Sequence, residues 1–272
     1  MNEVPAQFAG AFPLEAAGTT LQLLPDRAVA WPARRTLIVA DIHFGKDDLF
    51  RRAGLAIPEG GVAEDLERLA RLIVLTRSER LLVLGDFVHG ALHPGDAFPP
   101  RFAQWRTAHR QLEIVVVAGN HDRHLRKTGE PMPLDVSWHS GPLREHGLAF
   151  VHDADAHAHT STDVHPSTDA HTSANAHASA DAHASADTHT DADADTSPPA
   201  GYTLAGHVHP VVRLAVPGGT ALRVPVFWRR RDTLVLPAFG RMTGGQPVRP
   251  AAGDQLLVAG PERVRALPPA TS

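Results

Sequence analysis

Residues 80–89 read Arg-Leu-Leu-Val-Leu-Gly-Asp-Phe-Val-His, and the fold unrolls from them. Leu81 to Leu84 form a short apolar run, closed by Gly85 and followed at once by Asp86. A run of this length bounded by glycine predicts a strand buried on both faces. Its C-terminal end then sets one carboxylate at the edge of a sheet, where open α/β sheets hold their ligands. Gly85 removes a side chain where a ligand must come close to the backbone.

Two similar runs flank it. Thr36–Ala40 (TLIVA) predicts a second buried strand and leads into Asp41-Ile42-His43. Residues 114–118 predict a third and lead into Gly119-Asn120-His121-Asp122. Residues 45–54 read as a loop or short helix carrying Lys46, Arg51 and Arg52. Residues 62–75 have helical spacing, with Leu66, Leu69, Ala70 and Ile73 on one face and Glu64, Glu67, Arg68 and Arg71 turned outward. A further helix is expected over 102–112, after Pro99-Pro100. The order β-α-β-α-β, with polar residues after each strand, is the sequence form of a layered α/β domain. Residues 1–34 are expected to add one or two edge strands.

After Pro133 the texture changes to short strands separated by Gly and Pro, at 134–138, 148–151, 202–205, 211–216, 222–226, 233–236 and 255–258. They predict a second, mostly antiparallel sheet packed on the first. Residues 153–199 interrupt it with Ala, Asp, His, Ser and Thr. His165, His171, His177, His183 and His189 recur every six residues, yet no large apolar residue recurs with them to fill a core. The expectation is a single domain spanning 1–272 with a disordered insertion at about 153–199, a repeat expansion tolerated in a surface loop.

Composition narrows the chemistry. At 272 residues and 43% hydrophobic, the chain can bury a core. It has no cysteine, which rules out disulfides and thiolate zinc sites and leaves His, Asp, Glu and Asn as metal ligands. The net charge of −4 hides an asymmetry, because residues 153–199 hold nine Asp and no Lys, Arg or Glu. The remainder carries 26 basic and 21 acidic residues, a surplus of +5 that suits a phosphate-bearing substrate. No secretory signal pattern opens the chain, and no apolar run approaches the roughly 20 residues that span a bilayer. A soluble cytoplasmic protein without membrane contact is the expectation.

Four motifs and one histidine each follow an apolar run: Asp41-x-His43, Gly85-Asp86, Gly119-Asn120-His121-Asp122, His152, and Gly206-His207-x-His209. Each alone is weak; five in this order are not coincidence. In extended chain, residues i and i+2 point the same way, so Asp41 and His43 can grip one ion together; His207 and His209 also share a side, and small changes at the strand end could aim them at two neighbouring ions. A mixed oxygen and nitrogen donor set suits Mn²⁺, Fe²⁺ or Zn²⁺ better than Mg²⁺ or Ca²⁺. Asp86 reads as the centre of a two-metal site.

This order of motifs resembles the calcineurin-like metallophosphoesterase superfamily, whose pattern is D-x-H, G-D-x-x-[DH], G-N-H-[DE], H, G-H-x-H. The resemblance spans about residues 36–239. A narrower likeness, to the bacterial DNA ligase-associated metallophosphoesterases, rests on residues 40–46, 50–54, 58–60, 119–124, 206–210, 224–228 and 236–240. It departs from that family at 153–199, where the family runs a short loop. The resemblance implies a four-layer α-β-β-α sandwich, the metallo-dependent phosphatase fold, with two mixed sheets flanked by helices. It implies a cytoplasmic phosphodiesterase using two divalent ions, manganese first and iron or zinc next. Its functional links are to DNA ligase, helicase and nuclease, with a nucleic acid or nucleotide as candidate substrate.

Roles then transfer residue by residue. Asp41, His43 and His209 would hold one metal; Asn120, His152 and His207 the other; Asp86 would bridge both. His121 would bind no metal but face the scissile phosphate and protonate the leaving oxygen or stabilise the developing charge, and His89 would hydrogen-bond His121 and fix its tautomer. Among other residues, Arg229-Arg230-Arg231 reads as an exposed turn, and Trp105, Trp138 and Trp228 as packing residues. Phe239-Gly240 reads as a tight turn. Two alternatives stay open: a nuclease or phosphomonoesterase with the same site, and a non-catalytic protein whose His-rich tract buffers metal.

Overall fold

The computed structural model describes residues 7–58, 60–126, 134–155, 201–215 and 221–268. Its strands in chain order are β1 (Phe12–Ala16), β2 (Thr19–Leu24), β3 (Ala28–Trp31), β4 (Thr36–Ala40), β5 (Arg80–Leu84), β6 (Glu113–Val117), β7 (Ser137–His139) and β8 (Leu143–Glu145). They continue with β9 (Leu148–Val151), β10 (Tyr202–Ala205), β11 (Pro210–Ala215), β12 (Ala221–Arg229), β13 (Thr233–Val235), β14 (Gln246–Pro247), β15 (Gln255–Ala259) and β16 (Val264–Ala266). The helices are α1 (Lys46–Arg52), α2 (Gly61–Thr76), α3 (Phe98–Ala108) and α4 (Arg123–Arg126).

The first sheet runs β1-β2-β3-β4-β5-β6-β7. β4, β5 and β6 are parallel, with Leu37 beside Leu81 and Leu81 beside Ile114. Side chains alternate between two cores. Leu37, Val39, Leu81, Val83, Ile114 and Val116 face a core shared with Leu66, Leu69 and Ile73 of α2 and Phe98 and Phe102 of α3. Ile38, Ala40, Leu82, Leu84, Val115 and Val117 face the second sheet, meeting Phe150, Leu204, Phe227 and Leu236. This double burial is why residues 81–84 are apolar without alternation. Each fully buried side chain of this size contributes roughly 1.5–3 kcal/mol, so the middle strands anchor the loops that follow them.

Three strands, not one or two, precede β4. Ala17 and Gly18, both with positive φ, make the two-residue hairpin turn between β1 and β2. β3 is buried along its whole length, and half of it is alanine, too small to mark a strand by hydropathy.

The second sheet runs β14-β11-β12-β13-β10-β9-β8, with β15 on β12 and β16 on β15. Among the described residues, five of its eight strand pairs are antiparallel, as expected, and three are parallel, so the sheet is mixed. β9, β10 and β13 are mutually parallel, and their C-terminal ends share the edge that β4, β5 and β6 present in the first sheet. β7, expected in the second sheet, instead pairs with β6 in parallel at the border of the first. The two mixed sheets and their helices form the expected α/β layers.

α2 and α3 depart in detail from their sequence readings. α3 begins at Phe98 and takes Pro99 and Pro100 into its first turn, where the missing N–H costs nothing. Arg68, expected to face outward, is buried at 9% exposure. It pairs with Asp65 at 3.1 Å, donates to the Phe239 carbonyl and lies 3.8 Å over the Phe239 ring. Phe239 and Gly240 donate in turn to the Ala40 and Asp41 carbonyls, so this turn clamps the chain that leaves β4. From residue 156 to 200 the His-rich stretch lies outside the described residues. No described helix is long and apolar enough to cross a membrane.

Candidate metal centre

All five motifs emerge at one edge, from the ends of β4, β5, β6, β9 and β10. The chain must turn sharply there, and it does so with non-glycine residues. Asp41, His43, Asp86, His207 and His209 all have φ between 41° and 70°. The left-handed region costs about 1–2 kcal/mol per non-glycine residue, and such outliers gather where geometry serves function. Asp41-Ile42-His43 is therefore not extended, and its two side chains converge because both residues turn. The loops are also laced together: His43 N–H donates to the Asp86 carbonyl at 2.8 Å, and His207 N–H to Asp41 Oδ2 at 2.8 Å.

Asp41, His43, Asp86 and His209 bring one donor atom each to within 4.8 Å of one another. His43 Nε2 lies 3.3 Å from His209 Nε2 and 3.6 Å from Asp86 Oδ2, and His209 Nε2 lies 3.5 Å from Asp41 Oδ2. A second group adjoins it. His152 Nε2 is 2.8 Å from Asn120 Oδ1, 3.0 Å from His207 Nδ1 and 3.7 Å from Asp86 Oδ2. Asp86 Oδ2 thus stands between the two groups. Exposure rises outward, from fully buried Asp41 to His207, whose side chain is 43% exposed.

The residues fit divalent cations. Asp41 Oδ1 and His152 Nδ1 are buried without hydrogen-bond partners, an arrangement that is costly unless a ligand completes it. Burial, then the charges of His209, His89, Lys46 and His121, holds His43 down to about 2, so its ring is neutral and offers a lone pair. Burial likewise lowers His152. Burial pushes the Asp41 carboxyl up, a direction that a cation beside it would reverse.

His121 and His89 lie beside the first group. His121 N–H donates to Asp86 Oδ1 at 2.9 Å, and its ring packs edge-on to His43, 5.1 Å between centroids. His89 does not meet His121 in the expected way. The two rings stack, 4.3 Å apart and 27° from parallel, while His89 Nδ1 faces His43 Nδ1 at 2.9 Å. His89 therefore orients a ring of the first group. Its own pKa falls to about 4, chiefly by burial.

Close approach explains the glycines. A Cβ on Gly85 would sit 1.7 Å from His152 Nδ1, and one on Gly119 would sit 2.4 Å from the Asp86 nitrogen. On Gly206 it would lie 2.5 Å from the Leu84 carbonyl and 2.7 Å from Asp41 Oδ2.

Asp122, the last residue of its motif and without a role in the sequence reading, ties the site together. It is fully buried and accepts from Phe87 N–H at 3.2 Å, Val88 N–H at 2.9 Å and Gly119 N–H at 2.9 Å. Burial raises it to about 6 against the pull of these bonds. One carboxylate thus joins the loop carrying Asp86 to the loop carrying Asn120. Removing it strands three N–H groups, each worth about 1–3 kcal/mol when buried and unmet. Asp122→Ala is expected to lower the stability of the folded chain by about 3–5 kcal/mol, read by urea unfolding, and to weaken metal binding. Wild-type stability and metal affinity would show that the loops do not depend on it.

Of the three basic residues after His43, two are already paired. Arg51 bonds to Asp48 at 2.5 Å and Asp47 at 3.3 Å, and Arg52 bonds to Asp96. Lys46 has no acidic partner among the described residues. It lines a cavity of about 560 Å³ with His207, His209 and Arg223.

A search of curated proteins gives no match. Among solved structures, the chain is 32% identical to the nuclease MPE of Pseudomonas putida, with a TM-score of 0.65, over 94% of this chain and 100% of that one. It is 15% identical to the phosphoesterase YfcE of E. coli, with a TM-score of 0.39, over 85% of this chain and 97% of that one. The family model described as calcineurin-like phosphoesterase matches residues 34–210, the span that runs from the strand before Asp41 to the residue after His209. The chain belongs to the calcineurin-like phosphoesterase family and is a metal-dependent hydrolase of phosphoester bonds.

Proposed function

We propose that this hydrolase is a phosphodiesterase working with two divalent cations, manganese foremost, and that its substrates include nucleic acid. The observation that carries the two-ion reading is the position of Asp86 Oδ2, 3.6 Å from His43 Nε2 on one side and 3.7 Å from His152 Nε2 on the other. Asp41, His43 and His209 would hold one ion, Asn120, His152 and His207 the other, and Asp86 both. When bound, such a pair supplies a water of lowered pKa and neutralises phosphate oxygens. His121 is held by its own N–H on Asp86 Oδ1, which supports a role for its ring as proton donor to the leaving oxygen. His89 keeps the His43 ring in one tautomer, the usual task of a partner on the far nitrogen of a ligating histidine.

The nuclease reading draws on the Pseudomonas putida neighbour, and the link to DNA ligase, helicase and nuclease on the narrower likeness in sequence. A screen of phosphomonoesters, phosphodiesters and oligonucleotides against Mn²⁺, Fe²⁺, Zn²⁺ and Mg²⁺ tests it. Diesters and oligonucleotides should turn over with Mn²⁺; hydrolysis of monoesters alone would reject it.

The metal-buffer alternative is separated by shortening the His-rich tract. β9 and β10 are parallel, and a parallel crossover needs a dozen or more residues, so the whole tract cannot be cut out. Deleting residues 161–195 leaves enough chain to return. Bound metal and diester hydrolysis should both survive; loss of most of the metal would favour the buffer.

A further inference from the structure

The long hairpin beyond the metal edge has a charge pattern that the site itself does not use. β12 pairs with β13 only at Trp228 and Arg229, beside Val235 and Leu234. β13 and β10 run together toward the metal edge and stop there, and β12 runs against them. The residues of β12 before Val226, paired with neither β13 nor β15, therefore project past that edge. β11 pairs with this projection, starting directly after His209. Along it Arg213 stands opposite Arg223. Both are exposed, and neither has an acidic partner among the described residues.

Residues directly opposite on an antiparallel pair share a face, and like charges there destabilise the pair. The face is identified by alternation. Arg223 lies on the same side of β12 as Phe227, which is buried in the core between the sheets. Val226, one residue out of phase, packs in a separate cluster with Val212 and Leu256. The arginine side is thus the side turned toward the first sheet and its metal loops. Arg223 accordingly lines the cavity that also holds Lys46, His207 and His209.

We propose that Arg213 and Arg223 form a clamp for a phosphate that flanks the scissile one, so that the site grips a nucleic-acid strand and not merely an isolated diester. The proposal rests on the phosphodiesterase reading and names the part of the substrate held outside the metal pair. A strand phosphate between the two guanidiniums relieves their repulsion and accepts bidentate hydrogen bonds, which arginine is built to give. Lys46, across the same cavity, extends the basic track toward the metal loops.

The test compares wild type with Arg213→Ala/Arg223→Ala and Arg213→Lys/Arg223→Lys in the full chain. Three readouts are taken with Mn²⁺ present. The first is binding of a fluorescein-labelled single-stranded oligonucleotide by anisotropy across a salt series. The second is its cleavage. The third is hydrolysis of bis(4-nitrophenyl) phosphate, which has no second phosphate. The alanine pair should weaken oligonucleotide binding about tenfold and cut the salt slope by about 0.7, since the clamp neutralises one single-strand phosphate and each such phosphate adds roughly 0.7 to it. KM for cleavage should rise with kcat nearly unchanged, small-diester hydrolysis should persist, and the lysine pair should keep most of the slope. Unchanged oligonucleotide affinity and slope in the alanine pair, or no oligonucleotide binding by wild type, would overturn the clamp. Failure of wild type to hydrolyse the small diester would instead count against the phosphodiesterase reading.

Discussion

Asp86→Ala is expected to lose both metals and all measurable hydrolysis while the chain stays folded. Asp86 is 2% exposed at the end of the central strand, and its Oδ2 is close to a histidine ring of each group. Losing a partner outside the coordination sphere typically costs 10–100-fold in metal affinity. Losing the shared carboxylate removes a ligand and a negative charge from both ions at once, so the effect should exceed that range. Asp86 Oδ1 also accepts from His121 N–H, and the variant frees that loop. Elemental analysis after gel filtration and a chromogenic diester assay read the two losses. Retention of one equivalent of metal with activity would show that the groups work independently.

His121→Ala separates chemistry from binding. Its ring is not needed to complete either group of donors, and its backbone N–H, which holds Asp86, is kept by alanine. Metal content should match wild type, while kcat falls by about 10²–10⁴, the usual contribution of a positioned general acid. The loss should shrink for substrates whose leaving group needs no proton, such as 4-nitrophenolate, and be largest for alkoxide leaving groups. Equal losses on both kinds of substrate would move His121 from proton donor to stabiliser of charge. Full activity on both would remove it from the reaction.

Much of the fold was legible because burial writes itself into local sequence. Residues 37–40 and 81–84 are unbroken apolar runs, since each strand lies between two cores, and 148–151 is one because all four side chains are buried. The β1–β3 meander was only half legible, because Ala28 and Ala30 fill their places without a hydrophobic signature. The parallel β9-β10-β13 core was hidden, since strand direction depends on how a long connection returns, and residues 153–199 carry no pattern that says. The assignment of β7 to the first sheet is likewise a long-range choice.

At the site, the glycines and the Asp, Asn and His motifs were readable because metal chemistry restricts residue type and spacing. The geometry that gathers them was readable less well. The i, i+2 argument places Asp41 and His43 on one side of a strand, whereas both residues sit in the left-handed region past the strand end. What the sequence hid were contacts between loops far apart in the chain. Asp122 looks like the fourth letter of a motif until three N–H groups from two loops close on it. His89 looks like a partner for His121 until its ring nitrogen is found 2.9 Å from His43. Arg68 sits at a helix position that spacing turns outward, and only the Phe239 turn explains its burial.

Whether Asp86 joins two metal positions is decided by anomalous diffraction from crystals grown with Mn²⁺. Two peaks should share the Asp86 carboxylate, one ligated by Asp41, His43 and His209 and the other by Asn120, His152 and His207. A single peak at full occupancy under saturating Mn²⁺, or two that do not share Asp86, would contradict it.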